Sequence, residues 1–346
     1  MTNKIYAAMV NELLVASRRN GHWETDRQLM GASTQCVAAD PLKPEVVYCG
    51  TFDRGLWRSV DAGASWERVG ENIEGAVMAV AVSIAERAGE QGVAYAGTEP
   101  SAVYRSEDGG DTWLELGGLR GLPSAPEWSF PPRPETSHVR WLSPDPNASG
   151  KVFAAIEAGA LVQTPDAGAT WKDRTPHSPR DTHTLATHKD APGRLYSAAG
   201  DGFTRAGMGY SESHDGGESW QRFSDGLQHH YLWGVAVDPA DPETVVVSAA
   251  SSPWEAHNPM QAKSTIYQKT AGSAWREVTD GLPETEGRVI SILASNETEP
   301  RVFYMLSNFG LYRSPDAGLA WEHFGIDWPD HYRYQHQNAL AVVENG

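Results

Sequence analysis

Four histidines, His138, His183, His230 and His336, stand in stretches that read "SHVRWL", "DTHTLATH", "HHYLWGV" and "QHQNAL". Imidazoles that converge can hold a transition metal such as Zn²⁺ or Mn²⁺, with Glu99, Glu157 or Asp201 completing the shell. The ion would then acidify a water or polarise a carbonyl. All four are metal candidates, although no H-x-H or HExxH spacing accompanies them. A second chemistry is open to the same stretches. Arg54, Arg140 and Arg288 could clamp a substrate carboxylate by bidentate bonds, while a His–Glu pair drawn from His138, His183, Glu99 and Glu157 does general acid–base work. His230, Tyr231, Trp233, Trp254, His336 and Gln337 would contact the bound molecule, since polar pockets with aromatic walls suit small ligands. The competing reading is a wet channel mouth that tolerates polar side chains without purpose.

These residues can meet only if a regular scaffold brings them together, and a repeat supplies one. Ser/Thr-x-Asp-x-Gly-x-x-Trp occurs at Ser59/Asp61/Gly63/Trp66, Ser106/Asp108/Gly110/Trp113, Thr164/Asp166/Gly168/Trp171, Ser213/Asp215/Gly217/Trp220 and Ser314/Asp316/Gly318/Trp321. "QKTAGSAW" keeps Gly272 and Trp275 but has Thr270 in place of Asp, and "SRRNGHW" is a weaker copy with Ser17, Gly21 and Trp23. A period of roughly 40–50 residues implies a propeller or solenoid. A catalytic group is needed once, whereas this phrase recurs in each unit. Asp accepting backbone N–H groups, Gly at positive φ and Trp as an apolar plate make a turn staple.

Each unit alternates as a strand, a "DP" turn, a second strand, a polar loop, a third strand, the motif and a Trp-led fourth strand. Nothing reads as a long helix. Blades are counted from the first complete unit, near Gln35. The chain end "NALAVVE" (338–344) supplies the innermost strand that "KIYAAMV", "ELLVAS" and "HWETDRQ" lack, so both termini build blade seven and hide its edges. The expectation is one domain over 1–346, an all-β propeller of seven four-stranded blades.

The motifs fall on one rim. The opposite rim gathers the loops into innermost strands, with Gln35, His138, Arg140, His183, His230, Tyr231, Trp233, Arg288, His336 and Gln337. It also gathers the loops between second and third strands, with Asp53, Arg54, Glu99, Glu157, Asp201, Trp254, Glu255 and Asn308. Counting back from the "DP" turns puts His138, His183 and Tyr231 on one level and His230, Arg288 and His336 about one residue higher. Two inserts, at 122–141 with five prolines and at 251–265, lengthen the approach to blade three and the middle loop of blade five. Stiff loops of this kind can wall a pocket, or merely decorate the surface.

The motif resembles the Asp-box, or bacterial-neuraminidase repeat, of sialidases, family 74 xyloglucanases, sortilin-type receptors and photosystem II assembly-factor propellers. The resemblance covers essentially the whole chain and implies the propeller fold, with a sialidase-like or glycosyl hydrolase-like character. It carries over no catalytic residues. Sialidases use three arginines, but the Arg-Ile-Pro motif is absent, the blade count here is seven rather than six, and no Tyr–Glu pair can be placed. Family 74 enzymes have two propellers where this chain holds one. An enzyme acting by hydrolysis or elimination on a sugar-like or carboxylate small molecule is the first reading, with a glycoside hydrolase or lyase in view. A non-catalytic scaffold for a protein partner and a ligand sensor without chemistry are the others.

A formal net charge of −17 without a Lys/Arg-rich run argues against nucleic acid and anionic membranes as partners. No apolar run approaches the roughly 18 residues of a membrane helix, and the opening "MTNKIYAAMVNELLVAS", interrupted by Asn11 and Glu12, does not read as a secretory signal. The expected compartment is the cytoplasm. Cys36 and Cys49 are expected to face each other across one hairpin, as free thiols in preference to the cross-strand bond that an oxidising compartment would allow.

Overall fold

In the computed structural model, which describes residues 3–344, the repeated phrase forms a compact turn after the third strand of a blade. In blade one, Ser59 Oγ receives the Gly63 N–H at 2.8 Å and itself donates to Asp61 Oδ1 at 2.8 Å. Asp61 takes the Ser65 backbone N–H at 2.8 Å and its hydroxyl at 2.6 Å, while Trp66 Nε1 donates to the Gly63 carbonyl. The same pattern recurs around Asp108 and Asp215 and, with Trp171 Nε1 donating instead to the Gly117 carbonyl, around Asp166. Two successive left-handed residues are needed, Ala62 (φ 55°) and Gly63 (φ 85°) in this copy. A Cβ on Gly63 would lie 2.8 Å from the Tyr6 ring of the neighbouring blade, and one on Gly110 would lie 2.7 Å from Tyr48. Glycine is therefore required both for its backbone and for blade-to-blade packing.

Seven antiparallel sheets surround one axis. Their innermost strands are Thr34–Ala39, Ala76–Ala88, Val139–Pro144, Thr182–Thr187, Tyr231–Asp238, Ile292–Ser295 and, in blade seven, Ala339–Val343. Six sheets have four full strands. In blade three the fourth is reduced to the two-way bridge between Gln163 and Lys172. Ala339–Val343 pairs with Lys4–Ala8 along its whole length, so the ends of the chain close the ring as expected. The core lies between sheets: Cys36, Tyr48 and Leu56 of blade one pack with Val77, Ala94 and Trp113 of blade two.

The motif turns share a rim with the connections between first and second strands, because Ala62, Ala167, Gly216 and Ala317 donate to the carbonyls of Glu45, Gly150, Gly193 and Arg301. By connectivity the short helices Asp201–Thr204 and Pro253–His257 and the 3₁₀ turns, including Asp330–Tyr334, lie on the other rim. Both cysteines are buried free thiols. They do not face each other: Cys36 pairs with Gly50 and Cys49 with Val37, an offset of one residue that sends their side chains to opposite faces of the sheet. Among the described residues no helix is long and apolar enough to cross a membrane.

Candidate functional site

Innermost strands must aim side chains at the axis, and here they do so by breaking register. The ladder skips one residue at Gln35, at Met78, at Arg140 and at His183, and sets Trp233 and Gly234 against Ser248. An extra residue in one strand of a pair bends it and redirects its side chain. Arg140, His183 and Trp233 thus occupy equivalent positions and meet. The Arg140 guanidinium lies 4.5 Å over the Trp233 ring, and the His183 ring is 4.3 Å from it. This corrects the level assignment made from the "DP" turns: His183 stands level with Arg140, and Asp181 stands where His138 does.

A cavity of about 970 Å³ opens on this rim. Glu157, His183, Tyr231, Trp233, Trp254, His336 and Asp201 line it among the residues singled out from the sequence, joined by Phe130, Pro131, Pro132, Arg180, Asp181, Phe203 and His257. Both inserts contribute walls. His138 and Arg140 sit behind the floor, each nearly buried, with His138 Nε2 at 2.8 Å and Arg140 Nε at 3.7 Å from Glu157 Oε2. Glu99 is one layer further out, gripped by Arg133 through two 2.6 Å bonds and 3.6 Å from His138 Nδ1. Among the described residues, Arg140 Nε and Trp233 Nε1 have no hydrogen-bond partner.

Other expected members lie elsewhere. Arg288 is buried and spends its guanidinium on the carbonyls of Ser264 and Pro283. Arg54 is exposed beside Asp53, and Gln337 is buried against the Gln335 carbonyl. His230 flanks the cavity without lining it; its own carbonyl fills the space beside Gly202 and Gly209. Gln35 turns back on Ser33, and Asn308 bridges the carbonyls of Gly287 and Arg333. Asp181 and His257 are two of the lining residues that the sequence did not point to. Asp181 is two residues from His183, a spacing visible in "DTHTLATH", and His257 lies within the 251–265 insert with no periodic signal.

Burial opposes charge on Glu157, yet the His138 hydrogen bond and the Arg140 guanidinium hold its carboxyl well below the usual range. Asp181 moves upward through burial and the charge of Glu157, which the attraction of His183 offsets only in part. Burial also lowers His257, with His336 adding to it, and brings His336 down to about 4. His183 Nδ1 is 2.6 Å from the Leu232 carbonyl and so carries the proton. Ligand atoms of Glu157, Asp181 and His183 lie within 4.8 Å of one another, which makes these three, among the described residues, the group that could hold a metal. The arrangement can present an anionic carboxylate, a phenol and a guanidinium to one small molecule.

No known family model matches the chain, and no curated protein does. Solved structures do. The Niastella koreensis GH74 enzyme superposes with a TM-score of 0.69 at 17% identity over 94% of this chain and 52% of its own. An ancestral GH74 enzyme gives 0.62 at 16% identity, over 90% of this chain and 38% of its own. This chain therefore spans about half the length of the first and less of the second. YCF48 bound to D1 peptide gives 0.58 at 16% identity, covering 84% of this chain and 82% of that one. At such identities the likeness is one of fold, and the chain is a seven-bladed propeller similar in architecture to GH74 enzymes and to YCF48.

Proposed function

We propose that the protein is an enzyme that acts on a sugar-like or carboxylate-bearing small molecule, by hydrolysis or elimination, in the cavity on the rim away from the repeated motifs. The observation that carries this reading is Glu157, a largely enclosed carboxylate kept ionised by the His138 hydrogen bond and the Arg140 guanidinium at the floor of an aromatic-walled cavity. Perturbed buried acids in concave pockets are the usual mark of acid–base chemistry. Glu157 with His138 is the acid–base pair. Arg140 acts from behind the floor, where its charge, 3.7 Å from Glu157 and over the Trp233 ring, attracts an anionic group of the ligand; Tyr231 and His336 orient the ligand, and Trp233 and Trp254 face its apolar side. The motif geometry supports placing the chain among Asp-box propellers, and the GH74 likeness fits a glycan-type ligand. The reading keeps the protein in the cytoplasm.

The test is a panel of glycosides and uronates incubated with the protein. Turnover of at least one, lost in a folded Glu157→Gln variant, is the expected result. Turnover unchanged by that substitution, or no binding of any member, would sink the reading. A second reading is a scaffold for a protein partner. It is favoured by the exposed apolar residues Met30, Phe52, Phe203, Trp254, Met260 and Tyr334, which connectivity puts on the same rim, and by the architecture shared with YCF48 bound to a D1 peptide.

A further inference from the structure

We infer that Glu157, Asp181 and His183 form a binding site for a divalent transition-metal ion of the Zn²⁺/Mn²⁺ class, with its remaining coordination positions facing the cavity. The histidine is set for it. Its Nδ1–H is donated to the Leu232 carbonyl at 2.6 Å, which leaves the Nε2 lone pair free, and a carbonyl accepting from the far ring nitrogen in this way is what orients metal-bound imidazoles. Nε2 faces Asp181 Oδ1 at 3.6 Å and Glu157 Oε1 at 4.0 Å. Both separations exceed hydrogen-bond range. They approach the spacing of two ligands on one tetrahedral ion with bonds of about 2.1 Å, roughly 3.4 Å. His183 is only 1% exposed, so this lone pair is aimed into the site rather than at bulk water.

The two carboxylates are held as firmly. Glu157 uses its other oxygen, Oε2, on His138 at 2.8 Å, and Asp181 Oδ1 receives the Ala158 N–H at 2.8 Å. The Asp181 backbone is itself tied to the Asp201 carboxylate at 3.0 Å. Gly200 makes room for the cluster: a Cβ there would stand 2.0 Å from Asp181 Oδ2 and 2.9 Å from His183 Cε1. A protonated His183 bridging the two acids would explain their proximity without a metal, but hydrogen bonds of that type would be near 2.8 Å. One nitrogen and two oxygens suit Zn²⁺ or Mn²⁺ better than the all-oxygen shells of Ca²⁺ or Mg²⁺. Arg140 is the cation that opposes a metal here, 3.7 Å from Glu157. Against two carboxylates, Arg140 and a divalent ion leave one positive charge, which a bound hydroxide or a ligand carboxylate would neutralise. An ion so placed would polarise such a ligand or acidify a water.

Tag-free protein, stripped with a chelator and dialysed, is titrated with Zn²⁺ or Mn²⁺ alone, and bound metal is measured by elemental analysis. One ion per chain is expected, with affinity lowered at least about 10–100-fold in His183→Ala and in Glu157→Gln. Gly200→Ala should weaken binding as well, and His230→Ala should leave it unchanged. Melting curves show that the variants are folded. Should a variant fail to fold, the visible absorption of Co²⁺ bound to the unaltered protein reports whether a nitrogen–oxygen site forms. Wild-type protein that takes up neither ion in large excess, or folded His183→Ala and Glu157→Gln variants that bind as tightly, would overturn the assignment. Turnover of a glycoside or uronate by protein that takes up neither ion would remove the metal and keep the acid–base reading; uptake of one ion per chain with no glycoside or uronate bound or turned over would do the reverse.

Discussion

His257 and His336, 79 residues apart in the chain, meet with 2.7 Å between Nδ1 of the first and Nε2 of the second. The direction of this bond is fixed from its far end. Asn338 donates its amide to the Thr34 carbonyl at 2.7 Å, so its oxygen faces His336 Nδ1 at 3.3 Å and accepts. His336 Nε2 then accepts from His257 Nδ1, and His257 Nε2 accepts from the Tyr231 hydroxyl at 2.8 Å. Both rings are neutral in this chain, which links the blade-five insert to the strand that closes the ring.

Neutral buried histidines make stability depend on pH. His336 has its folded value depressed to about 4 from 6.5, chiefly by burial, so the unfolded chain binds more protons between those values. Its contribution is complete above about pH 6.5 and is lost as pH falls toward 4. The loss is on the order of 3 kcal/mol. Melting temperatures measured across this window should fall steeply for the native protein and less steeply for His336→Gln; parallel curves would refute the assignment of charge.

Removal of residues 338–346 takes away the strand paired with Lys4–Ala8 and bares that edge. An unpaired edge recruits other chains. The truncated protein is expected to aggregate or unfold on size-exclusion chromatography, and a monomer as stable as the full chain would contradict closure.

Ser106 is buried, with its hydroxyl receiving the Gly110 N–H at 2.8 Å. Ser106→Ala leaves that donor unpaired, at a cost of about 1–3 kcal/mol. Denaturant titration should register the loss while ligand binding on the opposite rim stays as it was. Impaired binding at unchanged stability would put the motifs at the site.

Arg140 and Arg288 should separate cleanly. Arg140→Ala is expected to weaken binding of a carboxylate ligand by about 1 kcal/mol, the attraction of a charge behind the floor without a direct hydrogen bond. Arg288→Ala removes the donors to Ser264 and Pro283 instead, and should lower the melting temperature with ligand affinity retained. Calorimetric titration beside thermal melts distinguishes the two.

The Ser/Thr-x-Asp-x-Gly-x-x-Trp phrase and the missing strand at each end were sufficient to read seven blades, their closure and the two rims, because these follow from local turn chemistry and strand order. Which polar residues reach the cavity was decided only in three dimensions. Strand alternation assigns a side chain to a face by counting in twos, and one extra residue at Arg140 or His183 reverses the count without leaving a mark in composition. Arg288 had the right residue type and level, yet two backbone carbonyls in the blade-five insert and the loop before it captured it. His257 became a neighbour of His336 through the packing of an insert against the ring closure, a contact between distant segments that no local pattern encodes.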